Sequence, residues 1–316
     1  MKHDVYAYYS MKDDKYEPMK DNNKYLEYNS KGEYKTRSRE NDSSSHSVSN
    51  AENISNEIFH NYTTPLLELR NIGKEYTDDN DKHIMVLNNI NLSANKNEFI
   101  SIVGPSGCGK STLLRIIMGL ETCTRGNVLF KGQSLVGGKE VNPHMAMVFQ
   151  SFGLFPWLTV IENVEFGLES IHIPKAQRRE KSLSIIQEVG LEGFEHAYPR
   201  ELSGGMKQRV GIARALVTDP EVLLMDEPFS SLDPLTAEAL REEVLKVWIN
   251  EFTTPDIVIM VTHNVEEAVY LSDRIIILSH RPASVVKEVP INIPRPREKR
   301  DKAIYEYLDQ ITTLIA

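Results

Sequence analysis

Residues 104–112 read GPSGCGKST, a pattern whose residue types and spacing suit a bound phosphate group. Gly104, Gly109, Lys110 and Ser111 fit G-x-x-x-x-G-K-[ST], and the pattern falls between an apolar stretch, NEFISIVG, and a helical one, STLLRIIMGLE. Glycines let successive N–H groups curve around phosphates, and the helix directs its positive end at them. Lys110 could then reach the β and γ phosphates of a nucleotide, and Ser111 could ligate Mg²⁺. We prefer this site to a glycine-rich turn with a chance lysine, and it consists of Gly104, Pro105, Ser106, Gly107, Cys108, Gly109, Lys110, Ser111 and Thr112.

Two adjacent carboxylates end a second apolar stretch, VLLMDEP. Asp226 and Glu227 would lie at the carboxyl end of a buried strand, where ligands collect in open α/β sheets. Asp226 could hold Mg²⁺, and Glu227 could polarise an attacking water. Alone, the pair could equally cap a helix, but the lysine loop favours catalysis. His263 closes the next apolar stretch, DIVIMVTH, and could contact the γ phosphate or orient Glu227.

A second segment, ELSGGMKQRVGIARAL at 201–216, also begins like a helix that holds an anion. One chain would therefore carry two segments that are directed at phosphate. The first of them already suffices for one nucleotide, so the second calls for a separate explanation.

Composition narrows the class of protein. The 316 residues carry a formal net charge of −9, which argues against a nucleic-acid binder that works through a broad basic face. Cys108 and Cys123 form neither a disulfide framework nor a metal-ligand spacing, so we expect a reducing compartment. We also expect the helix N-terminus to lower the pKa of Cys108, and bound nucleotide to shield its thiol from alkylation. The sequence shows no signal-peptide h-region and no apolar run of ~20 residues, so any action at a membrane would need another protein's helices.

The order of the apolar stretches predicts the organisation of the chain. Short alternating strands at 66–72, 85–92 and 97–103 suggest a small antiparallel sheet. Apolar strands that alternate with helices further on predict a parallel sheet covered by helices. We predict a disordered Tyr/Ser/Asn-rich tail at 1–62, a nucleotide-binding domain at 63–300 with a helical subdomain at about 156–210, and a C-terminal helix at 301–316.

Taken in order, these motifs resemble the ATP-binding subunit of an ABC transporter, over roughly residues 65–316. The resemblance implies an α/β fold: a P-loop NTPase core with a mostly parallel sheet, an antiparallel β subdomain and an inserted helical subdomain. It implies that Tyr76 stacks on adenine and that Gln150 reaches Mg²⁺ and the attacking water. His263 is then the switch histidine, and Glu227 the general base. The implied catalytic residues are Glu227, His263 and Lys110, and the implied Mg²⁺ ligands are Ser111, Gln150 and Asp226.

The same resemblance explains the second anion-directed segment. In this family two ATP-binding subunits close head to tail, so that the signature sequence of one covers the ATP held by the other. LSGGMKQR at 202–209 resembles that signature, and SSLD at 230–233 resembles the dimer-contact loop. We therefore expect a homodimer and a poorly active monomer. The residues implied to act on the partner's nucleotide are Ser203, Gly204, Gly205, Gln208 and Asp233.

The stretch FPWLTVIENV and the C-terminal segment resemble importers of nitrate, sulfonate, taurine and bicarbonate. This implies a peripheral ATPase on the cytoplasmic face of the cell membrane, bound to integral-membrane permease subunits and served indirectly by an extracytoplasmic solute-binding protein. The apolar side chains after Gln150 should either form a docking groove for a partner's helix or be buried in the helical subdomain: Phe152, Leu154, Phe155, Trp157 and Leu158. The alternatives are a soluble ABC ATPase that serves a non-transport assembly, an importer of a different solute, and a binding switch without useful turnover.

Overall fold

The computed structural model describes residues 65–77, 81–135, 144–169, 173–249, 255–298 and 301–315, together with the backbone of four short strands before residue 39. The chain divides into two units, Met1–Tyr62 and Thr63–Ala316. In the first unit β1 (Tyr9–Lys12) pairs antiparallel with β2 (Lys15–Pro18), and β3 (Lys24–Tyr28) pairs antiparallel with β4 (Tyr34–Ser38). The predicted disordered tail falls mostly outside the described residues and stays a prediction.

The second unit contains ten strands and seven α-helices in the described part of the chain. The strands are β5 (Leu67–Thr77), β6 (His83–Ala94), β7 (Glu98–Val103), β8 (Arg125–Phe130), β9 (Gln133–Ser134), β10 (Met145–Val148), β11 (Val222–Asp226), β12 (Ile257–Val261), β13 (Arg274–Leu278) and β14 (Val285–Pro290). The helices are α1 (Lys110–Met118), α2 (Val160–Phe166), α3 (Lys175–Glu188), α4 (Gly204–Leu216), α5 (Pro234–Ile249), α6 (Val265–Leu271) and α7 (Lys302–Ile315), with a 3₁₀ turn at Pro199–Glu201.

A six-stranded sheet in the order β10-β11-β12-β7-β13-β14 forms the centre of this unit. Its strands are parallel except β14, which returns antiparallel to β13. Core side chains cover both faces, because Phe99 packs with α2 to α5 on one side while Ile100 and Ile102 pack with α1 on the other. A strand buried on both faces reads as one continuous apolar run, which is how β7, β11 and β12 appear in the sequence.

A separate antiparallel sheet in the order β6-β5-β8-β9 confirms the predicted antiparallel subdomain. Its predicted third strand, at 97–103, was wrong: these residues form β7 in the middle of the parallel sheet, between β12 and β13. Phe99 to Val103 are all buried, which an exposed face of a small antiparallel sheet would not allow. The third strand is instead β8, whose sequence RGNVLF carries only a short alternation.

Residues 156–210 hold α2, α3, the 3₁₀ turn and the first half of α4, with no strand among those that the structure describes. The proposed domain limits stay predictions, and α4 continues past 210 to Leu216. Within the described ranges, no helix has the length and apolar character that crossing a bilayer requires.

Candidate nucleotide site

The phosphate loop connects the buried strand β7 to helix α1 at the edge of the parallel sheet where its carboxyl ends meet. Gly109 caps α1 with a φ of 122°, a conformation that L-residues rarely adopt. A Cβ on Gly109 would also lie 2.8 Å from Cγ1 of Val86 and 2.9 Å from Cδ2 of Leu87. The second glycine of the pattern is therefore required both by its backbone conformation and by the close approach of β6.

Lys110 is the buried cation of the loop, with 5% of its surface exposed. Its Nζ donates to the carbonyl oxygen of Gly104 at 2.9 Å and to that of Pro105 at 3.1 Å. A buried ammonium needs such partners, because desolvation without them is costly. The lysine is thus held inside the curve of the loop, where phosphate oxygens could replace the two carbonyls.

Cys108 differs from expectation. Its side chain is only 2% exposed, and burial raises the pKa of its thiol above the ordinary value. The nearby positive charge of Lys110 acts in the opposite direction but is outweighed. The prediction of a lowered pKa was wrong because it considered the helix N-terminus and not the burial of the side chain beneath the loop.

Ser111 and Asp226 are brought together although 115 positions separate them, because α1 follows β7 and Asp226 ends β11 on the same edge of the sheet. The Ser111 hydroxyl donates to Asp226 Oδ1 at 2.8 Å. Asp226 is 6% exposed, and burial raises the pKa of its carboxyl. A hydroxyl beside a carboxylate is a hard oxygen pair that suits Mg²⁺, which typically takes one or two protein ligands and completes its shell with water and phosphate.

Glu227, Gln150 and His263 form a second cluster at this edge. His263 Nδ1 lies 3.0 Å from Glu227 Oε2, and Gln150 Nε2 donates to the same oxygen at 3.4 Å. Glu227 has a φ of 44°, and its N–H donates to the carbonyl of Val261 at 2.9 Å, which ties it to the end of β12. A non-glycine residue held in this region is strained, and such strain is common at functional sites.

Gln150 lies beside Glu227, while Ser111 contacts Asp226. The Gln150 amide also donates to the Ser230 hydroxyl at 3.2 Å, and that hydroxyl donates to the Glu227 carbonyl at 3.0 Å. Sequence reasoning assigned the SSLD segment to a dimer contact and missed this role of Ser230 within its own chain. Only a contact across 80 positions could have shown it.

Tyr76 is 39% exposed at the end of β5, as an aromatic platform must be if a base is to stack on it. Its hydroxyl donates to Glu121, and Lys74 Nζ lies 4.7 Å from the centre of its ring and 3.1 Å from Glu121. Lys74 and Glu121 therefore fix the ring, and neither was identified from the sequence. Burial raises the pKa of the Tyr76 phenol, and the bond to Glu121 acts in the same direction.

The residues predicted to act on a partner's nucleotide make hydrogen bonds within their own helices or are buried. Ser203 caps α4 by accepting from the N–H of Met206 at 3.3 Å, and Asp233 Oδ1 accepts from the N–H of Thr236 at 3.1 Å. Gln208 is fully buried, and in the described structure neither its Nε2 nor its Oε1 has a hydrogen-bond partner. No hydrogen bond of the described residues joins Ser203 or Gln208 to the phosphate loop. Among the described residues, the side chains of Ser203 and Gln208 are thus not hydrogen-bonded into the group around Lys110.

The aromatic stretch after Gln150 is neither wholly buried nor wholly exposed. Trp157 is 69% exposed, while Phe155 is half-buried and packs its ring 5.5 Å from Trp157 and 4.5 Å from Phe166. Phe166 is itself 42% exposed, and Leu154 packs against the core. A contiguous aromatic surface of this kind is typical of an interaction site.

A mostly parallel sheet, a glycine-lysine loop between β7 and α1, and a carboxylate at the end of β11 together define a P-loop nucleoside triphosphatase. Comparison with known families shows to which family of P-loop nucleoside triphosphatases the chain belongs. The model of the family described as ABC transporter matches residues 87–230. The solved dimeric structure of a post-hydrolysis state of the ATP-binding cassette MJ0796 bound to ADP and Pi is similar, with a TM-score of 0.64 and 33% identity, over 72% of this chain and 100% of that one.

Sequence relatives agree. An uncharacterized ABC transporter ATP-binding protein of Methanocaldococcus jannaschii is 47% identical over 249 residues, 79% of this chain and 91% of that protein. The nitrate import ATP-binding protein NrtD of Synechocystis is 44% identical, over 73% of this chain and 88% of that protein. The aliphatic sulfonates import ATP-binding protein SsuB of Bacillus cereus is 42% identical, over 73% and 89%. This chain belongs to the ABC transporter ATP-binding family: it is an ATP-binding subunit whose ATP hydrolysis is coupled to transport.

Proposed function

We propose that this subunit drives an ABC importer and couples closure of an ATP-bound dimer to the uptake of a small anion such as nitrate, a sulfonate, taurine or bicarbonate. The observation that carries the proposal is the 42–44% identity to the nitrate and sulfonate import subunits over nearly their whole length. The acidic chain favours a protein partner over nucleic acid. A different solute and a soluble ABC assembly are the outcomes that the experiments below distinguish.

The loop of residues 104–112 would bind the phosphates of ATP. The Lys110 ammonium is already removed from water before ATP binds, because it is buried and bonded to the carbonyls of Gly104 and Pro105. It would exchange these two bonds for bonds to phosphate oxygens. Ser111 and Asp226, with Gln150, would hold Mg²⁺, which neutralises charge on the β and γ phosphates. The exposed ring of Tyr76, held by Lys74 and Glu121, would stack on adenine.

Glu227 would act as the general base. Its carboxylate is at hydrogen-bond distance from His263, whose side chain is 54% exposed and could therefore also contact a γ phosphate. Gln150 contacts the same carboxylate oxygen and could orient the attacking water. A proton taken by Glu227 would be stabilised beside His263, and Lys110 would stabilise the charge that develops on the phosphate.

The second group of residues would act on the ATP of a partner copy in a homodimer. Ser203 and the helix α4 that it caps would direct N–H groups and a positive dipole at the partner's γ phosphate, together with Gly204, Gly205, Gln208 and Asp233. That no described hydrogen bond joins Ser203 or Gln208 to the phosphate loop of the same chain supports the proposal. The buried and unpartnered amide of Gln208 would find its ligand, or a contact leading to it, only after closure.

The aromatic surface formed by Phe155, Trp157 and Phe166 would bind a permease helix, which would place the subunit at the cytoplasmic face of the membrane. A solute-binding protein outside the cell would then deliver the anion to the permease. This surface follows Gln150 in the chain, and Gln150 is hydrogen-bonded to Glu227. Binding of a permease helix could therefore change the position of Glu227 through Gln150.

The proposal is tested by purifying the tagged subunit with its membrane partner, reconstituting the complex in vesicles, and measuring ATP-dependent uptake of nitrate, taurine, an alkanesulfonate and bicarbonate. Trp157→Ser should lose partner binding and uptake while the isolated subunit keeps its ATPase activity. Leu183→Ser removes another half-exposed apolar side chain, on α3, and should change neither. If the complex transports none of these anions, the proposed cargo is wrong. If the tagged subunit purifies without a membrane partner, the proposed role in an importer is wrong.

A further inference from the structure

A turn between β13 and β14 contacts the phosphate loop through one exposed arginine. Arg281 Nη2 donates to the carbonyl oxygen of Gly107 at 2.8 Å. The N–H on the other side of the same peptide unit, that of Cys108, donates to the carbonyl of Pro105 at 3.3 Å. The peptide unit joining Gly107 to Cys108 is therefore held at both ends, from outside by Arg281 and from inside by the loop itself.

The turn is anchored by hydrogen bonds to β6 and by hydrogen bonds within itself. Ala283, a residue of the turn, is fully buried against β6. Its N–H donates to the carbonyl of Val86 at 2.9 Å, and its carbonyl accepts from the N–H of Asn88 at 2.8 Å. The N–H of Ser284 donates to the Ser279 hydroxyl at 2.9 Å, and the N–H of Ser279 donates to the Ser284 carbonyl at 2.9 Å.

The base of the turn also reaches the start of the phosphate loop. A Cβ on Gly104 would lie 2.8 Å from the carbonyl oxygen of Leu278, the last residue of β13. The hairpin thus contacts the loop at two points, at Gly104 through Leu278 and at Gly107 through Arg281. The loop also meets β6 at Gly109, where an added Cβ would contact Val86 and Leu87.

We infer that Arg281 is a positioning residue for nucleotide binding, which orders the phosphate loop before the phosphates arrive by fixing the peptide unit between Gly107 and Cys108. The inference rests on the proposed role of this loop. Backbone N–H groups bind phosphate well only when their directions are fixed in advance, because ordering a flexible glycine loop costs binding energy. Removing Arg281 should therefore weaken binding of ATP and ADP without impairing the chemical step.

The thiol of Cys108 provides a direct measure of loop order, since it is buried beneath the loop. In a Cys123→Ser background, Cys108 is the sole cysteine of the chain. Arg281→Ala should increase the rate at which N-ethylmaleimide labels Cys108 in nucleotide-free protein, by about threefold or more. It should also raise the Kd for MgADP about 5–10-fold and the KM for ATP likewise, as expected for loss of a charge-assisted hydrogen bond, with kcat within about twofold.

Two variants complete the experiment. Arg281→Lys keeps a cationic donor and should recover part of the affinity, while Lys287→Ala removes an exposed positive charge from β14 of the same hairpin and should change neither labelling nor Kd. Unchanged labelling in Arg281→Ala, or faster labelling with an unchanged Kd, overturns the inference. Lys110→Ala in the same assay tests the site itself: if it binds MgADP as the unmodified chain does, the proposed phosphate site is wrong, whatever Arg281 does.

Discussion

Burial sets the direction in which the pKa values of two residues at the phosphate site are shifted. Asp226 and Cys108 are nearly inaccessible, and burial raises the pKa of both. Asp233 is exposed at the start of α5, and its hydrogen bonds from Thr236 lower its pKa. The pKa values of two aspartates of the predicted site are thus shifted in opposite directions by their surroundings. This difference gives a direct test of the described geometry.

Asp226→Asn is expected to raise the melting temperature of the nucleotide-free, Mg²⁺-free protein at neutral pH. The folded pKa of Asp226 lies above its unfolded value, so the carboxyl favours folding below the unfolded pKa and loses that contribution as the pH rises through the folded pKa. Asparagine keeps an acceptor for Ser111 without the buried charge. The gain should therefore shrink as the pH falls toward ~4, the usual pKa of aspartate.

Asp233→Asn serves as the comparison of opposite sign. Its folded pKa is lowered, so its contribution to stability is present above the unfolded pKa and lost as the pH falls through the folded pKa. This variant should lower the melting temperature at neutral pH and converge with the unmodified protein in acid. Equal pH profiles for the two variants would contradict the burial of Asp226.

Glu227→Gln is expected to reduce the ATPase rate at least ~100-fold, as for loss of a general base, while ATP binding remains. Because ATP is then bound but not consumed, gel filtration with MgATP should show a dimer. Glu266→Gln neutralises an exposed carboxylate in the first turn of α6, three positions after His263, and should leave both measurements unchanged. A near-normal rate in Glu227→Gln would assign the base to another residue.

At the scale of elements, the start of α4 is packed against the start of α5. A Cβ on Gly205 would lie 2.3 Å from Cγ2 of Thr236, whereas one on Gly204 would meet only the end of Leu232, at 3.3 Å. Gly205 is thus required by the packing of its own chain, in addition to its proposed contact with a partner's ATP. The sequence pattern alone suggested only the second reason.

Gly205→Ala should lower the free energy of unfolding by about 1–3 kcal/mol, the usual cost of overpacking, as measured by urea denaturation. Thr236→Ser removes the opposing methyl group, so the double variant should recover most of this stability. Gly204→Ala should be close to neutral, since the flexible Leu232 can move. If the double variant is no more stable than Gly205→Ala, the contact between α4 and α5 is not the cause.

Strands and helices around the loop were largely predictable, since β7, β11 and β12 are continuous apolar runs followed by helical segments. The sheet to which β7 belongs was not, because a short apolar strand fits either sheet by periodicity. Arg281 and Glu121 were also missed. They are ordinary surface charges in the sequence and gain their roles from contacts to Gly107 and Tyr76.

At the scale of the whole molecule, the two groups of phosphate-directed residues predict complementation between chains. Lys110→Ala disables the phosphate loop and Ser203→Arg blocks the signature segment, so each variant alone should be inactive. In a head-to-tail dimer of one copy of each, one composite site is intact. An equal mixture should therefore recover up to about a quarter of normal ATPase activity, since half of the dimers are mixed and each has one of two sites.

The control mixes Lys110→Ala with Glu227→Gln. Both residues would act on the ATP held by their own chain, so each copy of a mixed dimer disables its own site and no activity should be recovered. ATPase rates are measured after dissociation and reassociation of the copies. Activity in the first mixture equal to that of the separate variants would mean that Ser203 does not act on a partner's nucleotide.

The sequence by itself determined the class of protein, the nucleotide and the order of the elements, because G-x-x-x-x-G-K-[ST] and the apolar runs are local patterns whose chemistry depends on neighbouring positions. Tertiary structure decided what depends on distant positions: the pKa directions of Cys108 and Asp226, the fixed ring of Tyr76, and the hold of Arg281 on the phosphate loop. Burial and hydrogen bonding are properties of the packed chain, and a one-dimensional pattern does not contain them.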